Sequence, residues 1–420
     1  LSGIAPKGRI VLALANELQF LLILLQHRLG GTFPPEADLL RLLPLDWEKF
    51  LNLAESERVA PLVYHIFQEE LGDLPEAALP SWRWHQLDLP IWLLHRLRTW
   101  YHGCALSNRT LLREFFRLWP YLQAQGLEVI PLKGLHLIPT LYQNWGLRPM
   151  SDLDLLVKPH EVSAVAAILQ AQGYSPDPTM LPLKYHLMIS FHLPDFRKGA
   201  HLRLEIHTDF KSRPQLDLNI EEVWQSARHA ELFPGHSLPL LTPEHHLTFL
   251  LIHLDKHLFL SRASLIWLHD IAEFMGFHLQ NLDYQELRRI WGKNELLLWR
   301  YLRLVARIFQ LQEVSALLSR ETGHGMEHPD NAFLAWEELV LRKLFFKEYT
   351  PIQFVGNILG LIDGWGNRAM FLWHHIFVSP TRIRLMYPGK PGYYPYFVAI
   401  ERPVLLLFRL IRGLLLKIYR

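Results

Sequence analysis

Residues 149–157 read Pro149, Met150, Ser151, Asp152, Leu153, Asp154, Leu155, Leu156 and Val157. This apolar, β-prone run starts with two carboxylates one residue apart. Successive side chains of a strand point to opposite faces, so Asp152 and Asp154 project together and Leu153 projects the other way. Like charges on neighbouring sites repel, and folding gains nothing from placing them there. A divalent cation between them removes that cost, and Mg²⁺ prefers carboxylate and phosphate oxygens. The run therefore predicts a strand with an acidic face, the arrangement that phosphoryl or nucleotidyl transfer needs.

The surrounding pattern sets the fold class. Residues 8–118 read as helical, with Leu18, Leu21, Leu22 and Leu25 on one face and Leu111, Phe115 and Leu118 on another. The texture changes near Gly126. A short strand over Leu127–Leu132 is followed by Lys133-Gly134 and a helix through Tyr142, then the Asp152–Val157 strand. A helix follows over Pro159–Gly173, then a possible strand at Leu187–Phe191 and an alternating strand over His201–His207. Pro-rich loops are expected up to about Pro243. Helices return over Glu244–Leu260, Ser264–Phe277, Tyr284–Trp291 and Glu295–Phe309, and a basic amphipathic helix closes the chain at Pro403–Arg420. The prediction is an α+β protein: a small mixed sheet between helical parts, divided as 1–118, 119–240 and 241–420.

Bulk properties narrow the function. The formal net charge of the 420 residues is +2, which argues against a dedicated binder of long nucleic acid. Cys104 is the only cysteine, so internal disulfides and cysteine-based zinc sites are excluded. No secretory pattern opens the chain, and Ile10–Leu25 is broken by Asn16, Glu17 and Gln19. A cytoplasmic protein without a transmembrane segment is expected. The C-terminal helix carries Arg409, Arg412, Lys417 and Arg420 among apolar residues, which suits a packed helix better than a membrane-surface contact.

A third acid joins the first two. Glu205 lies on the His201–His207 strand with Leu204 and Ile206 on its other face. If that strand pairs beside Asp152–Val157, Glu205 reaches the same edge, and three carboxylates can hold two Mg²⁺ ions. Lys133 supplies a cation at the strand-to-helix turn, where Gly134 lets backbone approach a phosphate.

Taken together, Leu132-Lys133-Gly134, the Arg148–Val157 run, Gly173-Tyr174 and Leu204-Glu205-Ile206-His207 resemble the uncharacterised nucleotidyltransferase family of the DNA polymerase β-like superfamily. The resemblance covers roughly residues 105–310. It implies a small mixed sheet backed by helices, Asp152 and Asp154 as metal ligands, and Glu205 as the third acid. The superfamily usually has Gly-Ser after the first strand. Here Leu135 follows Lys133-Gly134, so Lys133 and the Ser151 hydroxyl are expected to take over the grip on phosphate. The implied reaction moves a nucleoside monophosphate from an NTP such as ATP to a hydroxyl acceptor, releasing pyrophosphate.

Other residues carry open alternatives. Arg148 reaches either a phosphate or one of the acids. His207 shares the face of Glu205 and either contacts substrate or orients that acid. Lys256, His257 and His253 fall on one helix face and fit the implied family pattern, either turned to the nucleotide or packed in the helical part. His253, His257 and His269-Asp270 also allow a His-Asp type metal phosphohydrolase. A silent nucleotide- or peptide-binding module on the same fold is the remaining rival.

Overall fold

The computed structural model describes residues 15–32, 35–71, 81–84, 87–177, 192–199, 202–210, 216–259, 262–322, 331–346, 365–366 and 368–369. The expected strand at Leu187–Phe191 and the expected helix at Pro403–Arg420 lie outside the described residues.

The N-terminal part contains α1 (Asn16–Arg28), α2 (Glu36–Leu40), α3 (Trp47–Ser56) and α4 (Ala60–Leu71). Asp46 starts α3 by accepting from the Lys49 amide at 3.0 Å. The expectation of helix throughout 8–118 is corrected by a hairpin of β1 (Ser81–Trp84) and β2 (Leu87–Pro90), paired from Ser81↔Pro90 to Trp84↔Leu87. Its second strand alternates as a half-buried strand does, with Leu87 and Leu89 buried and Asp88 exposed. Helix α5 (Ile91–Gln123) then runs without a break through the expected boundary at 118/119.

The sheet is built from β3 (Ile130–Pro131), β4 (Leu153–Leu156), β5 (Ser175–Pro176), β6 (Phe196–Lys198) and β7 (Leu202–His207), in the order β3-β4-β7-β6-β5. Only β4 and β7 run parallel; the other pairs are antiparallel. The expected α+β class with a small mixed sheet is what the chain adopts. Between β3 and β4 stand α6 (Lys133–Leu137) and a π-helical turn at Ile138–Tyr142, and α7 (Val162–Ala171) follows β4. Leu153 and Leu155 of β4 and Leu204 and Ile206 of β7 join Phe115 and Trp119 of α5 and Val165 and Leu169 of α7 in one apolar core. That burial is what turns Asp154 and Glu205 to the opposite face.

The expected Pro-rich loops before Pro243 also need correction. The segment contains α8 (Ile220–Ser226), capped by Asn219, and a hairpin of β8 (Arg228–Phe233) and β9 (His236–Leu240). Leu232, Phe233 and Leu238 of this hairpin complete the core under the sheet.

The remaining helices are α9 (Pro243–Phe259), α10 (Leu265–His278), α11 (Tyr284–Trp291), α12 (Glu295–Ile308), α13 (Gln312–Thr322) and α14 (Asn331–Leu341). They share one core with the N-terminal helices: Phe20, Leu24 and Leu62 belong to the same buried cluster as Leu247, Leu268 and Leu302. Polar ties cross the same seam. Gln26 donates to the Ile308 carbonyl at 2.7 Å, and Arg28 pairs with Glu273 at 3.2 Å.

Candidate active site

The register of the two parallel strands sets the site. Asp154 is the pairing partner of Glu205, and Leu156 that of His207, so both carboxylates leave the sheet on one face. The Leu132 amide donates to the Asp154 carbonyl at 3.0 Å and draws the Lys133 turn against β4. Lys133 Nζ then lies 2.7 Å from Asp154 Oδ1 and 3.5 Å from Glu205 Oε2. Arg203 donates through Nη2 to Asp152 Oδ2 and, at 3.0 Å, to Glu205 Oε1. His207 Nε2 lies 2.9 Å from Asp154 Oδ1, and His192 Nε2 lies 3.8 Å from Glu205 Oε2.

Local backbone explains the turn. Lys133 itself takes the left-handed conformation, with φ +47°. Gly134 is required for a different reason: a Cβ there would come within 2.5 Å of Arg148 Nη1 and of Met150 Cγ. The glycine expected to admit a phosphate is thus needed first to admit the Arg148 side chain.

Burial and charge act against each other across the cluster. Burial raises Asp152 and Asp154 above the usual carboxylate range, with Glu205 adding repulsion to both. Burial also opposes ionisation of Glu205, but Lys133, His192, His207 and Arg203 outweigh it and hold Glu205 well below that range. Burial disfavours the Lys133 ammonium, yet Asp154, Glu205 and Asp152 raise its pKa above that of an ordinary lysine. Burial keeps His207 neutral, down to about 3. It also lowers the Lys256 amine to about 8.

Two groups of side chains are spaced as metal ligands, Asp154 with Glu205 and His207, and His192 with Asp195 and Glu205. Within each, the donor atoms lie within 4.8 Å of one another. Asp152 belongs to neither group, and its carboxylate accepts from Arg203.

All of these residues except Asp195 line a cavity of about 150 Å³, small enough that charges on its opposite walls feel one another. Lys133, Arg148, Ser151, Asp152, Asp154, Glu205, Lys256 and His257, all singled out from sequence, line it. So do residues the sequence reading missed: Arg58, His192, Arg203, Phe249, Ile252 and Trp267. Arg203 sits two residues before Glu205 on an alternating strand, so its place on the acidic face was legible. His253 and His257 of α9 pack their rings against Trp267 of α10, at 4.9 and 4.2 Å between centroids.

Arg148 has an acid partner outside the three strand carboxylates. It lines the cavity, but its carboxylate partner is Asp270, held through Nη2 at 2.8 Å and Nε at 3.2 Å. Tyr142 donates to the same carboxylate at 2.8 Å and meets His269 Nδ1 at 3.1 Å. Of the residues in the His-Asp phosphohydrolase alternative, Asp270 is committed to Arg148 and Tyr142 and His269 is fully buried, whereas His253 and His257 line the cavity.

The chain matches the model of an uncharacterised nucleotidyltransferase family over residues 44–310, well over half of its length, and it belongs to that family. The match begins among the N-terminal helices, upstream of residue 105, where the sequence resemblance begins. No curated protein matches the chain. Among the described residues no helix is long and apolar enough to cross a membrane.

Proposed function

We propose that the protein is a metal-dependent nucleotidyltransferase that moves a nucleoside monophosphate from an NTP to a hydroxyl acceptor. The observation that carries this reading is the register pair Asp154 and Glu205, facing a cation-lined cavity in a member of a nucleotidyltransferase family. The donor set fits a divalent cation, since Asp154 and Glu205 already stabilise the Lys133 ammonium between them. Asp154 and Glu205 would hold Mg²⁺, with Asp152 beside them. When bound, Mg²⁺ would neutralise charge on the phosphates and acidify the acceptor hydroxyl.

The chain's own groups supply the rest. Lys133, Ser151, Lys256 and His257 offer donors to phosphate oxygens, and Phe249, Ile252 and Trp267 offer apolar surface for a base. Glu205, held ionised by its basic neighbours, accepts the proton of the acceptor hydroxyl. The acceptor oxygen bonds to the α-phosphorus as the bond to pyrophosphate breaks. On this reading the protein works in the cytoplasm, where Cys104 stays reduced.

The test is a screen of α-labelled NTPs with cell extract, comparing wild type with Asp154→Asn. Label transfer is expected to vanish in the variant while its circular dichroism and melting stay native-like. Full transfer by the folded variant would overturn the assignment.

One observation favours a second reading. Each of the three acids has a basic partner, Lys133 or Arg203. A site neutralised in this way suits a module that binds a nucleotide without turning it over. Calorimetry with NTP and Mg²⁺ separates the two, because binding without pyrophosphate release favours the module.

A further inference from the structure

We infer that Arg58, contributed by the N-terminal helices, is the docking group for the polyphosphate chain of the nucleotide. The inference rests on the nucleotidyltransferase reading above, and deepens it by giving the triphosphate a cation from the N-terminal helices.

Three observations converge on this residue. The first is backbone. Helix α3 closes in a Schellman turn, with the Arg58 amide donating to the Glu55 carbonyl at 3.0 Å and the Val59 amide to the Ala54 carbonyl at 2.9 Å. Arg58 occupies the left-handed position of that turn, with φ +61°. Glycine is the usual residue there, because a Cβ is disfavoured in this conformation. Keeping an arginine at a strained position points to a role for its side chain.

The second is anchoring. The preceding residue, Glu57, is buried and ties the turn to the start of α10: its carboxylate accepts from the Leu265 amide at 2.9 Å and its carbonyl from Ser264 Oγ at 2.7 Å. The turn is thus held fixed against the helices that wall the cavity, and Arg58 lines that cavity.

The third is charge. Lys133, Arg148 and Arg203 of the cavity wall are each ion-paired, and Lys256 is engaged as well. Arg58 donates through Nη2 to the Pro149 carbonyl at 3.2 Å, and among the described residues no carboxylate lies within ion-pair distance of it. Arg148 Nη1 donates to the same carbonyl at 3.2 Å. Two guanidinium groups thus converge on one oxygen, and of the two only Arg148 makes a direct ion pair with Asp270. Burial and the Arg148 charge disfavour the Arg58 cation more than Asp152 and Asp270 favour it. A phosphate oxygen would relieve both effects, and an arginine fork is well shaped to bind one.

The left-handed backbone makes the test clean. Arg58→Gly removes the guanidinium while fitting the turn better than arginine does. Binding of inorganic tripolyphosphate to the full chain is measured by calorimetry, alongside thermal melting. Arg58→Gly is expected to melt at or above the wild-type temperature and to bind tripolyphosphate at least tenfold more weakly, with Arg58→Lys intermediate. Wild-type affinity in Arg58→Gly, or no tripolyphosphate binding by the wild type, overturns the inference. The transfer reading fails separately: if wild type binds tripolyphosphate through Arg58 but transfers no label from any NTP, the seat stands and the chemistry does not.

Discussion

Asp154 and Glu205 stand side by side on neighbouring parallel strands, and the Lys133 ammonium bridges their carboxylates at 2.7 and 3.5 Å. The lysine thus supplies positive charge between the two carboxylates.

Lys133→Met therefore leaves two buried carboxylates without their cation. Breaking a buried pair from one side costs about 3–5 kcal/mol. The variant is expected to melt well below wild type in chelator, and added Mg²⁺ or Mn²⁺ should restore much of the loss. Melting curves with and without metal measure this. A variant that melts like wild type in chelator would show that Lys133 does not neutralise the pair.

The Arg148–Asp270 pair ties the sheet to α10. Asp270→Ala leaves a buried guanidinium without its counter-charge, so a destabilisation of about 3–5 kcal/mol is expected in urea titration. The double variant Arg148→Met with Asp270→Leu should recover most of it, since apolar replacement of both partners removes the stranded charge. If the double variant is no more stable than Asp270→Ala, the pair is not what the lost energy belongs to.

Acid sensitivity follows from a pair of buried rings near the site. His136 of α6 and His246 of α9 meet edge to face at 4.3 Å, and neither His246 nitrogen has a hydrogen-bond partner. Burial, with the charge of His278 added, lowers His136 from 6.5 to about 3 and His246 well below 6.5. The unfolded chain thus binds protons on these rings before the folded chain does. Their contribution is whole above 6.5 and is lost as pH falls from 6.5 toward 3. Stability should drop over that window, and His246→Leu should flatten the drop. An unchanged pH profile in His246→Leu would count against this assignment.

Cys104 should be inert in the native protein. Burial pushes its thiol up to about 12, although Arg148 and a contact from Asn108 oppose the shift. A disulfide reagent at pH 8 is expected to titrate no thiol in the folded chain and one thiol in denaturant. Rapid labelling of the native chain would contradict this.

What the sequence disclosed follows a physical line. Strands β4 and β7 were legible because their alternation separates Leu153, Leu155, Leu204 and Ile206 from the acids between them. The hairpin of β8 and β9 was not, because β8 exposes its first four residues and β9 carries Pro239. Arg58 and His192 were invisible for another reason. Each reaches the cavity through tertiary packing from a segment with no local motif, and only the αL turn at Arg58 marks it, in coordinates and not in letters. The Arg148 partner was not legible because Asp270 lies 122 residues away.

The single core shared by Leu24, Leu62, Leu247 and Leu302 has a mechanical consequence. Arg58 and Lys256, nearly two hundred residues apart in the chain, line one cavity above that shared core. The two halves of the cavity wall are thereby tied to one packed interior. A fragment cut to the sheet alone would lose half of its own cavity and carry an exposed apolar face in its place.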